Sequence, residues 1–403
     1  MSIADNKMTP TALRPGLLRG RKKWIACGLA LTVSVLAMGV YYWPEQPVAL
    51  PSGVSLIAWE EAEREYVELF HRQPNEVDMM MTLAETAVRR NEPDLAVACF
   101  ARVPSEHIRY GARARLQEAE ILMRGNKADR AEAGFRMFLQ LAEAQDAYPQ
   151  EDVRLARDWL VFLLAVELRF EDRKAVLQQM IQDRQFDAYD AKQCYFPTLL
   201  IWQSMLGSNR LREFLEQAPS SRPLRIAQAR YLVGEGKIVA ADQMLKSLRL
   251  QNPGDVAVIA ASLECFYEQA NWERFDTIFA AAPAYRDDEP WLLTQMRAEF
   301  AAHSQDWTTA ERYFRQLLKV DPANPTCHMG LAKALNGLGK SEERKAIQER
   351  SLILARIRVN LAAVDNKSAI AAKALAQDAR QLQMHDAAAS FEFLAEQMER
   401  GAR

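Results

Sequence analysis

A recurrence at steps of 34 or 35 residues constrains this chain more than any other feature. Ala241, Phe275, Ala310 and Arg344 form one series, and Leu245, Phe279, Phe314 and Gln348 follow it four residues later. Twelve residues ahead of the first series stand Ala229, Leu263, Ala298 and Ala332; three after those come Leu232, Phe266, Ala301 and Leu335. Spacings of three and four put side chains on one face of a helix. Turn-forming stretches divide each unit: GEGK at 234–237, QANW at 269–272, SQDW at 304–307 and GLGK at 337–340. Pro-containing stops then follow as NPGD at 252–255, AAP at 281–283 and DPANP at 321–325. Each unit therefore predicts two helices joined by a tight turn. One such pair cannot bury its apolar stripe alone, whereas stacked pairs bury a continuous core with small residues at the closest approaches.

Four units run in nearly continuous phase, over 222–255, 256–290, 291–324 and 325–358. Upstream, residues 77–104 carry Ala84, Ala96, Phe100 and Pro104, and residues 112–139 carry Ala119, Gly125-Asn126, Ala131 and Phe135. Two weaker pairs are expected around 153–183 and 193–219, marked by Leu163, Ala175, Leu200 and Leu215; Ala374, Ala387, Phe391 and Leu394 mark a last unit or cap over 368–400. The period and the small-then-aromatic spacing resemble the tetratricopeptide repeat (TPR). The resemblance spans most of 60–400 and is strongest over 222–358. It implies an all-α, right-handed solenoid of about seven or eight helix pairs. Phe275 and Arg344 stand where the repeat places a small residue, and looser or tilted packing is expected there.

The first 54 residues read differently. From Trp24 to Trp43 run 20 residues without a charge, which as a helix span about 30 Å, the thickness of a bilayer's hydrocarbon core. Trp24 lies at one end and Tyr41, Tyr42 and Trp43 at the other, as interfacial rings do. Six Lys and Arg against Asp5 fall in residues 1–43, leaving 45 basic and 52 acidic residues beyond. The positive-inside rule puts a basic tail, 1–23, in the cytoplasm, a transmembrane helix at 24–43, and the remainder outside the cytoplasmic membrane. Cleavage after Gly39 is the alternative, although the apolar stretch continues past that site. Pro44, Pro47, Pro51 and Gly53 make 44–54 a stiff stalk. The expected order is then tail, anchor, stalk, divergent helix pairs over 55–221, four regular units over 222–358, and capping helices over 359–403.

Little in the chain predicts chemistry. A mildly acidic body without a basic block is a poor partner for nucleic acid. His71, His107, His303, His328 and His385 show no ligand spacing, so solvated or interfacial histidines are expected, with His328 packed. Cys99, Cys194, Cys265 and Cys327 form no CxxC and read as small core residues. Gly339-Lys340-Ser341 imitates the end of a phosphate loop, but Ala334 stands where its first glycine belongs, so it reads as a turn. Asn366-Lys367-Ser368 matches a glycosylation acceptor, a triplet that also arises by chance. No catalytic residues, cofactor or metal ligands are expected.

The TPR resemblance implies that first helices line a groove for protein or peptide partners. Carried onto this chain, the groove positions are Arg230, Glu264, Tyr267, Glu299, Lys333 and Asn336. Met81, Glu85, Ile226, Arg230 and Glu264 do not supply the Lys and Asn set with which some such proteins clamp a C-terminal carboxylate. Two readings follow: a membrane-anchored, non-catalytic scaffold on the extracytoplasmic (periplasmic) side, or a chaperone-like receptor holding unfolded or peptide substrates there. The sequence names no partner, and it leaves the oligomeric state open.

Overall fold

The computed structural model describes residues 77–144, 148–197, 203–365 and 367–401. The tail, anchor and stalk expected over 1–54, and His71, lie outside the described residues. Those described all fall within Leu69–Arg403, the second of two units into which the chain divides.

Every described element of regular structure is an α-helix, and the eighteen fall into nine pairs. The pairs are α1 Val77–Arg89 with α2 Pro93–Arg102, α3 Gly111–Arg124 with α4 Ala128–Glu143, and α5 Gln150–Val166 with α6 Phe170–Gln182. They continue with α7 Ala188–Tyr195 and α8 Gln203–Gln217, α9 Arg222–Gly234 and α10 Ile238–Gln251, and α11 Val256–Glu268 and α12 Trp272–Phe279. The last six helices are α13 Trp291–His303, α14 Trp307–Val320, α15 Pro325–Gly337, α16 Ser341–Val364, α17 Ala369–Gln381 and α18 His385–Gly401. Nine successive pairs in chain order exceed the seven or eight expected; the segment around 153–183 and the C-terminal segment form whole pairs, whereas the two helices around 193–219 pack on other partners. Among the described residues, no helix is long and apolar enough to cross a membrane.

Most repeat marks are core; Ala175 is not, being exposed on α6, where Leu177 and Met180 are buried instead. Ala84, Ala119, Ala229, Leu263 and Ala298 on odd-numbered helices are fully buried, as are Ala96, Ala131, Ala241, Ala310 and Ala387 on even-numbered ones. Phe100, Phe135, Phe314 and Phe391, each four residues beyond a small one, are fully buried too. Small residues let backbones approach, and the rings fill the wedge between successive pairs. The approach is close at Gly330 of α15, where an added Cβ would lie 2.2 Å from the Phe314 ring. First helices stack in order, α9 on α11, α11 on α13, and α13 on α15.

The two departures from the repeat are absorbed in different ways. Phe275 does not loosen its unit: it is fully buried and stacks on Phe279 at 5.8 Å and on Phe300 at 5.3 Å. Its helix, α12, is only eight residues long. Arg344 sits near the start of α16, where the buried positions move instead to Ile347, Leu354, Ile357, Leu361 and Val364 along a 24-residue helix.

The turns repeat more faithfully than the side chains. Asn91, Asn126, Leu168, Gly236, Ala270, Gln305, Gly339 and Gln383 each hold a positive φ in the turn inside a pair. At the next residue of each turn, a backbone N–H closes onto the carbonyl five residues before it, as from Lys127 to Leu122, Asn271 to Phe266 and Lys340 to Leu335. This left-handed C-cap caps orphan carbonyls and fixes the reversal.

The fourth pair breaks the pattern. Its second helix, α8, packs on α5 and α9, but its first, α7, packs on α6 and α18. Ala191 and Phe196 thereby join the core of α16 to α18.

Candidate functional site

Five of the six positions expected from the sequence, on four first helices, form a graded polar ladder. Arg230 on α9 grips Glu264 on α11 through both forks, Nε to Oε2 at 2.7 Å and Nη2 to Oε1 at 3.0 Å. A paired fork of this kind is among the stronger ionic contacts. Burial alone would lower the Arg230 pKa; the Glu264 carboxylate outweighs it and the pKa is raised. Tyr267, one turn along α11, donates a hydrogen bond to Glu299 of α13. Burial, with the Glu299 carboxylate added, pushes the Tyr267 phenol up to about 12. Burial also raises the Glu299 carboxyl above its usual range, against the pull of Tyr267 and of the Lys333 charge from α15. Lys333 places its ammonium 5.9 Å from the Trp307 ring centre, within cation–π range. Asn336 stands apart from the others and accepts from Arg344 at 2.9 Å.

The ladder runs from covered to open. Arg230 and Glu264 keep 16% and 21% of their side chains exposed, whereas Lys333 and Asn336 lie in the open. Arg230 is covered by the α5–α6 turn, since its Nη1 donates to the Leu168 carbonyl at 3.2 Å and its guanidinium lies 5.8 Å from the Phe170 ring centre. The sequence reading did not foresee that cover, because Leu168 and Arg230 are two pairs apart.

Rings flank the ladder. Trp272 stacks on His303 at 3.7 Å with planes 8° apart, and meets Tyr267 edge-on at 5.9 Å. The signal for them was present: Trp272 and Trp307 close the QANW and SQDW turns one repeat apart. Glu85 and Glu120 follow Ala84 and Ala119 as Arg230 follows Ala229, so they continue the series toward the N-terminal pairs. Glu85 pairs with Arg113 at 3.0 Å. Glu120 lines a cleft of about 880 Å³ with Arg113, Gln117, Tyr148 and Asp152. Burial raises the Glu120 carboxyl, Arg124 opposing and Asp152 adding to the rise.

Cys99, Cys194, Cys265 and Cys327 are free and buried. Gly339 turns the chain into α16, and Lys340 Nζ pairs with Glu311 at 2.8 Å. His328 is packed, its Nε2 2.9 Å from the Pro322 carbonyl. Among the described residues, no three His, Cys, Asp or Glu side chains converge as a metal site would.

No protein-family model matches the chain. No curated protein matches it at a significant level either. Among solved structures, a tetratricopeptide repeat protein from Parabacteroides merdae is similar at 9% identity and a TM-score of 0.31, over 64% of this chain and 98% of that one. Yeast Tom70 is similar at 10% identity and a TM-score of 0.32, over 86% and 93%. The Cut9–Hcn1 assembly of the APC/C gives 12% identity and a TM-score of 0.30, over 85% and 93%. Scores this low establish neither the course of the whole array nor a function.

Proposed function

We propose that this chain is a non-catalytic scaffold of the TPR type, which holds a protein partner against the open end of the ladder at Glu299, Lys333 and Asn336. The observation that carries this is the ladder itself, where four successive first helices carry Arg230, Glu264, Glu299 and Lys333, of alternating charge, at one register. A polar, directional surface of that kind suits a defined partner segment better than the varied apolar stretches of unfolded chains. In the same proposal, residues 24–43 anchor the protein in the cytoplasmic membrane with the helix pairs on the extracytoplasmic side. Confinement to that surface raises the effective concentration toward a membrane-bound partner.

A photo-cross-linking residue at Lys333, compared with one at Val239 on the exposed side of α10 (74% exposed), tests the binding face in native membranes. A small set of stoichiometric adducts from Lys333 and none from Val239 is expected. The same adducts from both positions would remove the ladder from the proposal. A broad substoichiometric spread from Lys333 would turn it into a holding chaperone. The anchor is tested separately by the mass of the mature N-terminus, since a start near Val40 would leave export but no anchor.

A further inference from the structure

We infer that α6 and α7 form an intramolecular clasp, which ties the middle of the array to its C-terminal pairs and keeps the Arg230 end of the ladder covered. The tie spans long stretches of chain. Lys192, 3% exposed, sends its ammonium to the Asp365 carboxylate and lies 3.5 Å from the Leu361 carbonyl, both on or just beyond α16. The Tyr195 hydroxyl meets Ser390 of α18 at 3.1 Å. Phe196 stacks on Phe391 with centres 5.8 Å apart. From α6, Glu171 accepts from the backbone N–H of Trp291 at 2.5 Å, and Lys174 donates to the Val320 carbonyl. The same α6 begins at the turn whose carbonyl and ring cover Arg230.

Ala191 and Phe196 belong to the core of α16 to α18, yet two features make the contact separable. Asp190, Lys192 and Gln193 on the short α7 are all buried, and polar groups like these lose less than apolar ones on returning to water. Each side also keeps some support of its own. The α7 helix carries its own capping box, with Asp187 and Asp190 bonding each other's backbone N–H groups. The pairs opposite keep a core of Leu375, Ala372, Ala376 and Phe391 between α17 and α18. An open state therefore keeps α17 packed on α18 and loosens α6 beside Arg230, and it is a minor state because it exposes Ala191 and Phe196. The importance of that loosening for partners rests on the scaffold reading; the clasp does not.

Hydrogen exchange of the full-length protein tests the clasp without any partner. In Lys192→Glu, two carboxylates face each other at Asp365, and exchange of amides in 188–195 is expected to rise on the order of tenfold or more. Amides of α11 to α14 should keep their wild-type rates. The swapped pair Lys192→Glu with Asp365→Lys is expected to return 188–195 toward wild type. Unchanged exchange in 188–195, or an equal rise throughout the chain, would overturn the clasp. Cross-linking from Lys333 is read apart from this, so a failed clasp and a failed scaffold are distinguishable.

Discussion

At Glu167, a single carboxyl makes the fold sensitive to pH. The residue is 4% exposed at the end of α5, and Arg169 Nη1 bridges it to Glu132 at 2.9 and 2.8 Å. Its other oxygen, Oε1, has no hydrogen-bond partner. Burial pushes its pKa up to about 7, the Arg169 hydrogen bond opposing and Glu132 adding to the rise. A carboxyl raised in the folded state disfavours folding when ionised. Its cost is full above pH 7 and is relieved as pH falls from about 7 toward the ordinary value near 4.5. Glu167→Gln should therefore gain stability relative to wild type at pH 8, with the advantage shrinking by as much as about 3 kcal/mol by pH 5. Urea denaturation of both proteins at the two pH values measures it. Nothing in the local sequence ELR announces this site, since Glu132 arrives from the preceding pair. By contrast, Phe100, Phe135, Phe314 and Phe391 were legible as core from spacing alone, because each obeys the period of its own helix.

The turn within each pair is the most regular element; its place was legible at GEGK, QANW, SQDW and GLGK, but its left-handed residue was not. Only two of its eight positive-φ positions within pairs are glycine, Gly236 and Gly339; the others include Leu168, Ala270 and Gln305. Stacking of the two helices over-determines the reversal, so residues ill suited to the left-handed region are held there. Ala270→Gly removes the Cβ conflict at the cost of a more flexible unfolded chain. A net gain of about 0.5–1 kcal/mol is expected, seen as a higher thermal midpoint; a lower midpoint would mean that Ala270 carries no strain. The ladder was legible to the same degree as its helices. Arg230, Glu264, Glu299 and Lys333 share one register and line up, but Asn336, a turn further on, is drawn to Arg344. That residue breaks the repeat's small-residue rule and so has a side chain long enough to reach back.

Across the described residues, stability is not simply the sum of neighbouring pairs. In an open array each pair contacts only those beside it, and unfolding spreads along the line. Here Phe196 and Lys192 couple the fourth pair to the eighth and ninth. Phe196→Ala removes a fully buried ring and is expected to cost about 3–5 kcal/mol. It should also split the urea transition, so that tryptophan fluorescence and circular dichroism no longer coincide. Coincident, merely shifted transitions would show that the pairs hold together without this contact. No pattern in the sequence reveals the coupling, because a 34-residue period describes neighbours and is silent about partners some 170 positions away.

The clasp also bears on how such a gene can grow. Arrays of helix pairs commonly tolerate gain or loss of a whole unit, since each new pair finds the same surface on its neighbour. Between Lys192 and Asp365 lie the pairs formed by α9 to α16, and their number sets where Asp365 arrives. One pair more or fewer would carry the carboxylate past its lysine and Phe391 past Phe196. Duplication, the cheapest way to lengthen a repeat protein, is thus closed to this interval, and the count of its units is fixed by a contact that belongs to none of them.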